Sequence, residues 1–399
     1  MSHGEAIDSS TERLRTLNER GGIIVGYLYP HTPIELILAH GLTPSLIRVS
    51  PIVSSGFEDS LQTFSCAFSR NIFSQRARGG FVEFDGFLFP GNTCDALQNV
   101  GDVWKQRFPK DKVFRLTYPV SSYSAGSIDF FTEELKILSA AIAEIYGKPF
   151  SPTDYAAAVS LVNDFRHAAQ FLYASRIINP ATISYSDLVE LVTHFLIAPE
   201  QQVLDDADER VAAAESILKE HDQVALTENL MRGLIASNLT DISLEKAITG
   251  PRLLVVGGMV DPQNLAGLFA GLENSSDDVV GLDLLSFSFK SVFTPEVGPK
   301  GDPFRSMAES ILRAPAEPTQ EGLTQRTTYL KELMRSIPFD GLVVCEQSFC
   351  DPDEFETPSL LRAADDVGIP SLRLPIDPEI SDRGRLVGRL QTFLETLEG

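Results

Sequence analysis

Cysteine is scarce in this chain: Cys66, Cys94, Cys345 and Cys350 are the only four in 399 residues. That is too few, and too unevenly placed, for a disulfide framework. No apolar run exceeds strand length, so no membrane-spanning helix is expected. The residues after Met1 lack the basic-then-apolar order of a signal peptide, which points to the cytoplasm. Positive charge is short as well, with 33 Lys and Arg against 55 Asp and Glu and a formal charge of −22. Nucleic acid and anionic membrane are thereby excluded as partners, because phosphates need a basic footprint. Several chemical signatures are missing. There is no Gly-x-x-x-x-Gly-Lys-Ser/Thr loop, no Gly-x-Gly-x-x-Gly, no Gly-x-Ser-x-Gly elbow and no Cys-x-x-Cys. An intrinsic P-loop ATPase, a dinucleotide fingerprint, an esterase elbow and a thioredoxin or zinc pair lose their support. The six histidines show no metal-ligand spacing.

What is present is a repeat that ends on cysteine both times. Phe84-Asp85-Gly86-Phe87-Leu88-Phe89 runs into Asn92-Thr93-Cys94-Asp95, and Phe339-Asp340-Gly341-Leu342-Val343-Val344 runs into Ser348-Phe349-Cys350-Asp351. Upstream, Ile23-Ile24-Val25-Gly26 leads through Pro33 to Leu36. Its partner Leu254-Val255-Val256-Gly257 leads through Pro262 to Leu265. Short apolar runs followed by amphipathic segments read as buried parallel strands feeding helices. The expected fold is α/β: two Rossmann-like parallel-sheet domains, internally duplicated, with a helical connector. Ligands of open α/β sheets gather at strand carboxyl ends, so the two halves are expected to face one cysteine-bearing site.

The boundaries follow from the pattern. Residues 1–126 form the first α/β domain, with Cys66 and Cys94. Residues 127–245 form a helical connector, and residues 246–399 form the second α/β domain, with Cys350. Strands are expected at Gly22–Leu28, Leu46–Val49, Phe84–Phe89 and Val113–Leu116. Within the connector, helices are expected at Phe131–Tyr146, from Ser151 onward, at 186–197 and as one helix over 201–235. Thr294–Gln325, rich in Pro and Gly, reads as a long loop near the site or an interface.

Cys66, Cys94 and Cys350 each lie beside polar loop residues, where a thiolate can reach a ligand. Cys345, inside an apolar strand, reads first as a small buried hydrophobe. Three thiolates from separate strand ends suit an iron–sulfur cube, although soft sulfur also takes zinc or Cu(I). A structural zinc site would want a fourth protein ligand. His31 is placed near the site at the first strand–helix turn, and His40 reads as packing.

These residues resemble the 2-hydroxyacyl-CoA dehydratase D-component family, which includes subunits of ATP-dependent benzoyl-CoA reductases. The resemblance rests on Pro33-Ile34-Glu35-Leu36 with Ala39-His40-Gly41-Leu42-Thr43-Pro44, on Ser65-Cys66-Ala67-Phe68-Ser69-Arg70, on Thr93-Cys94-Asp95, and on Phe349-Cys350-Asp351 with Glu356-Thr357-Pro358. It covers about residues 20 to 397. The family's C-terminal motif is degenerate here, at Gly388-Arg389-Leu390-Gln391-Thr392-Phe393.

The resemblance implies two flavodoxin-like domains with a [4Fe–4S] cluster between them, held by Cys66, Cys94 and Cys350. It also implies a homologous cluster-bearing subunit as heterodimer partner, a separate ATP-dependent activator as electron donor, and a CoA thioester substrate. In such enzymes one low-potential electron makes a ketyl radical that expels hydroxyl, or electrons enter an aromatic ring. Thr32, His31 and Glu35 stand as catalytic candidates near the open iron, since their turn follows the first strand. Glu35 reads equally as a ligand, a proton carrier or a helix cap, and Cys345 or Glu35 stands as a possible fourth ligand. Arg48, Arg70 and Arg389 are the candidates for the CoA phosphates. The rival expectation is an electron-relay subunit whose cluster is fully ligated by protein. A double-cubane reductase is weakened by having only four cysteines.

Overall fold

The computed structural model describes residues 12–120, 123–245, 250–272 and 279–398. Two compact units divide the chain. One comprises the residues up to Asp164 with His194–Val203 and Thr294–Glu321; the other comprises Phe165–Thr193, Leu204–Phe293 and the residues from Gly322 onward. Among the described residues no helix is long and apolar enough to cross a membrane.

The first unit holds a four-stranded, all-parallel sheet in the order β2-β1-β3-β4, with β1 Ile24–Tyr27, β2 Thr43–Leu46, β3 Gly86–Gly91 and β4 Val113–Thr117. Between strands run α1 (Ile34–Ala39), α2 (Ala67–Ala77) and α3 (Asp95–Arg107). β1 and β3 are buried along their whole length, which is why their sequences are unbroken apolar runs. The second strand lies earlier than the expected Leu46–Val49. It contains Pro44, tolerated because β2 is the sheet edge and one face of its backbone needs no partner. The core is aromatic. Trp104 is fully buried, with Phe87, Phe108 and Phe89 ring centroids at 5.0, 5.2 and 5.3 Å.

α4 (Ala125–Tyr146) is capped by Ser124, whose hydroxyl accepts the Ser127 amide, and stops at Gly147 in the left-handed region. It starts six residues before the expected Phe131 because the serine cap, with no apolar periodicity of its own, sets the end. Then come α5 (Pro152–Ile178), α6 (Tyr185–Ile197), α7 (Gln201–Glu220) and α8 (Val224–Ile235). The expected single helix over 201–235 is two, broken where Asp222 takes φ 54° and the Gln223 amide turns back to the Leu218 carbonyl.

The second unit repeats the topology. Its sheet, order β6-β5-β7-β8 and all parallel, comprises β5 Leu253–Gly257, β6 Val280–Leu284, β7 Gly341–Gln347 and β8 Ser371–Ile376. α9 (Pro262–Phe269) follows β5, and a π-helical turn, Ser286–Lys290, follows β6. α10 (Pro303–Leu312) then belongs to the first unit, while α11 (Leu323–Ser336), α12 (Asp351–Asp365) and α13 (Arg383–Glu398) belong to the second. α10 overturns the expectation of a long loop over Thr294–Gln325. Asp302 accepts the Phe304 amide at 3.0 Å and Pro303 opens the helix, a start signal stronger than the surrounding Pro and Gly content suggested. This unit's sheet core is mainly aliphatic: Val255, Leu265, Leu268, Val343, Leu374, Leu386 and Leu390 pack with Cys345 among them, and Tyr185 and Phe269 are its buried aromatic members.

The repeated Phe-Asp-Gly has one structural reason in both units. Asp85 Oδ2 accepts the Ile24 amide at 2.8 Å, and Asp340 Oδ2 accepts the Arg252 amide at 2.7 Å. Each aspartate amide returns a bond to the carbonyl of the same residue, so the carboxylate seals the start of the central strand. The following glycine has no room for a side chain. A Cβ on Gly86 would come within 2.3 Å of the Tyr146 hydroxyl, and one on Gly341 within 2.9 Å of the Phe393 ring. The register also corrects the repeat. Val25 pairs with Gly86 as Leu253 pairs with Gly341, so Gly26 corresponds to Leu254 and not to Gly257.

Candidate functional site

All three candidate ligand cysteines are N-caps. Cys66 precedes α2, Cys94 precedes α3 and Cys350 precedes α12, each buried and with non-helical backbone. Cys94 and Cys350 follow β3 and β7 closely, whereas a long loop separates Cys66 from β2. Cys66 is therefore not at the strand end expected for it. In each case the first amides of the helix point at the cap. The two repeated turns are braced alike. The Asn92 amide donates to Gln98 Oε1 at 2.8 Å, and the Gln347 amide to Asp353 Oδ2 at 3.2 Å. Each turn also has one side-chain-bearing residue in the left-handed region, Asn92 at φ 61° and Phe349 at φ 59°. That conformation is costly for a phenylalanine and marks a constrained turn.

In the first unit Cys66 and Cys94 come together. Burial, and next the neighbouring Cys66, push the Cys94 thiol up to about 12, against amide bonds from Leu97 and Ala96. Burial thus favours the neutral thiol over a bare thiolate at this position. The helices that carry the two thiols are tied to one residue: Arg76 of α2 reaches Asp111 through two 2.8 Å bonds, and Trp104 Nε1 of α3 donates to the same carboxylate at 2.8 Å.

Beside this pair stands a cluster in which the expected His31 and Thr32 meet three residues that the sequence did not single out, Tyr29, Tyr118 and Glu317. Tyr29 is fully buried; burial first, then Glu317, raises its pKa, and Cys94 adds to the rise. Its ring lies 4.9 Å from that of Tyr118, whose hydroxyl donates to the His31 carbonyl at 3.1 Å. His31 Nε2 stands 3.1 Å from the Pro315 carbonyl and 3.8 Å from Glu317 Oε1, and all of these side chains are buried. Thr32 Oγ1 donates to the Tyr29 carbonyl at 2.7 Å. Glu317 lies in the Pro-rich stretch, and a lone acidic residue between apolar neighbours there was the available signal.

The other candidates are placed as follows. Glu35 is buried in the first turn of α1, near enough to Tyr155 to help burial raise that hydroxyl's pKa. Arg70 donates to the Thr63 carbonyl at 3.0 Å and lies over the Phe57 ring, closing the loop ahead of Cys66. Arg48 is half-buried, and its carbonyl accepts from Gln75 at 2.9 Å. His40 is a packing residue: its Nδ1 stands 2.7 Å from the Lys148 carbonyl and its Nε2 2.9 Å from Ser139 Oγ.

In the second unit Cys350 ends the β7 turn, its amide donating to the Gln347 carbonyl at 3.0 Å. Cys345 lies within the aliphatic core, and burial pushes its thiol up to about 12. Arg389 donates to the Arg373 carbonyl on β8 at 2.8 Å. Among the described residues no group of three or more His, Cys, Asp or Glu is gathered as for a metal ion.

The family model described as 2-hydroxyglutaryl-CoA dehydratase, D-component, matches residues 30–397. The chain is 19% identical to the (R)-phenyllactyl-CoA dehydratase beta subunit of Clostridium sporogenes, over 96% of this chain and 94% of that protein. It is 22% identical to the beta subunit of lactoyl-CoA dehydratase from Anaerotignum propionicum, over 95% and 93%. It is also 22% identical to one of the subunits of benzoyl-CoA reductase from Thauera aromatica, over 87% and 83%.

Proposed function

The chain belongs to the 2-hydroxyglutaryl-CoA dehydratase, D-component family, and we propose from that premise that it is the [4Fe–4S]-bearing subunit of an acyl-CoA dehydratase or an aryl-CoA reductase. One observation carries the reading: the same strand-end turn ends on a buried cysteine in both sheets, with a second buried thiol beside the first.

The chemistry of the donors suits the group. Three buried thiols at helix N-termini offer soft sulfur. Cys66, Cys94 and Cys350 are the proposed ligands. Cys345 sits inside an aliphatic core and Glu35 beside Tyr155, placements that favour an iron position left to substrate over a fourth protein ligand. When bound, such a cluster supplies single electrons at low potential.

The chain's own residues do the rest. Tyr29 and Tyr118 wall the Cys94 side with rings and keep water from it. His31 holds a proton at Nε2 between the Pro315 carbonyl and Glu317, and Thr32 fixes the turn that carries it. Arg48, Arg70 and Arg389 are proposed to meet the CoA phosphates, whose binding energy orients the thioester. Since two of the relatives are named as beta subunits, a related subunit is the proposed partner. A separate ATP-hydrolysing activator is the proposed electron donor.

Anaerobic purification with iron, sulfide and zinc analysis, and EPR of the reduced protein with and without acyl-CoA, tests this. About four irons and four sulfides per chain, with a spectrum that acyl-CoA alters, is the expected result. A cluster indifferent to acyl-CoA would assign the chain an electron-relay role instead, and an iron-free protein would remove both readings.

A further inference from the structure

Each of the two repeated cysteine turns contains a buried side-chain donor that lacks an acceptor. Thr93 Oγ1 stands one residue before Cys94, and Gln347 Nε2 three residues before Cys350; neither has a hydrogen-bond partner among the described residues. Gln347 is only 3% exposed. Its backbone is tied at both ends, by Asp353 at the amide and by the Cys350 amide at the carbonyl, so the side chain is held at the turn. It follows Val343 and Cys345 on the same face of β7, at the point where that apolar row ends.

Leaving a buried donor unpaired is costly, because its bond to water is lost without replacement. Other orphaned atoms belong to other elements, such as Ser45 Oγ on β2 and Tyr329 Oη on α11. The two turns differ in sequence, Asn92-Thr93-Cys94 against Gln347-Ser348-Phe349-Cys350. They nevertheless each carry one orphaned donor within three residues of the cysteine, and the shared feature has a simple reason if the acceptor comes from outside the chain.

We propose that Thr93 and Gln347 each donate a hydrogen bond to sulfur bound at the cysteine of their own turn, and thereby raise the reduction potential of the group so held. The proposal rests on the functional reading above and deepens it. Taking up one electron adds negative charge to the sulfurs, so a fixed donor stabilises the reduced form more than the oxidised one. Gln347 and Thr93 are positioning and tuning residues; neither is asked to move a proton.

The test uses the anaerobically purified chain with its partner subunit, and the variants Gln347→Leu and Thr93→Val, the latter nearly isosteric. Iron and sulfide are assayed first, then the midpoint potential by EPR-monitored titration. Each variant is expected to keep its iron and to lower the reduction equilibrium constant about tenfold, or about 59 mV for one electron. In wild type, glutamine labelled with 15N at the side-chain amide should show a hyperfine coupling to the reduced cluster, and Gln347→Leu should abolish it. Unchanged potentials in both iron-replete variants overturn the proposal, as does an uncoupled 15N in wild type, the outcome expected if water is the acceptor. Should a variant lose iron, the wild-type 15N spectrum decides alone. An iron-free wild type is a different failure, that of the functional reading itself.

Discussion

The two units share a strand order and differ in nearly everything that fills it. The first packs its sheet with aromatic rings around Trp104, and the second mainly with leucine and valine around Val343 and Cys345, its Tyr173, Phe289 and Phe293 forming a separate aromatic group. By the strand register Tyr29 in the first unit corresponds to Gly257 in the second, a buried ring against no side chain. The features common to both are few: the aspartate that seals the central strand, the glycine after it, the braced turn and the cysteine at its end. A core can be refilled by any set of side chains of suitable volume. A turn that must present one sulfur cannot, so the features kept twice point to the site.

The comparison breaks most visibly if the thiols are not equivalent. Cys94→Ser and Cys350→Ser are expected to lose most of the bound iron, measured per chain after anaerobic purification. Cys345→Ala is expected to keep its iron and lose on the order of 1 kcal/mol of stability, the scale of one small buried group. Iron retained by Cys350→Ser and lost by Cys345→Ala would reverse the assignment and make β7 itself the ligand-bearing element.

How much of this was legible follows from what each signal depends on. Buried parallel strands announce themselves as apolar runs, so both sheets and the cysteine turns could be read from the repeat. The alignment of Gly26 with Gly257 could not be trusted, because short Val- and Ile-rich strands match in several registers. Only the bonds of Asp85 and Asp340 choose one. The 201–235 break at Asp222 hid because a left-handed aspartate leaves the helical periodicity on either side intact. Glu317 and Gln347 hid for a different reason. Their importance comes from distant chain segments and from lacking or finding a partner, and neither is written in local spacing.

The sealing aspartates offer a milder way to sharpen the comparison. Asp85→Asn and Asp340→Asn each exchange a carboxylate acceptor for a neutral one at a strand amide, at a cost of about 1–3 kcal/mol. Chemical denaturation should show losses of similar size in both. Gly86→Ala should cost about 1–3 kcal/mol by overpacking, since the new methyl displaces the Tyr146 hydroxyl from the Asp85 carbonyl at 3.0 Å. A strong effect in one unit and none in the other would mean that the repeated motif is ornamental in the silent unit.

The smallest expected effect separates the units by sign. In the first, burial lowers the pKa of His40, whose two nitrogens are already engaged with Lys148 and Ser139. The unfolded chain therefore binds more protons between the lowered value and the usual 6.5. Stability from His40 is present above 6.5 and is lost as pH falls through that window. In the second, burial raises Asp283, although Tyr173 at 2.9 Å and Ser288 donate to it. Here the folded chain holds the proton more tightly, so its contribution is full below the usual 3.8 and is lost as pH rises through the raised value. Denaturation midpoints across pH 4 to 7 should therefore lose an acid-side decline in His40→Gln and an opposing slope in Asp283→Asn. A profile unmoved by His40→Gln would mean that the imidazole titrates alike in folded and unfolded chains, against its two short bonds. A slope surviving in Asp283→Asn would place the titrating carboxyl elsewhere in the second unit.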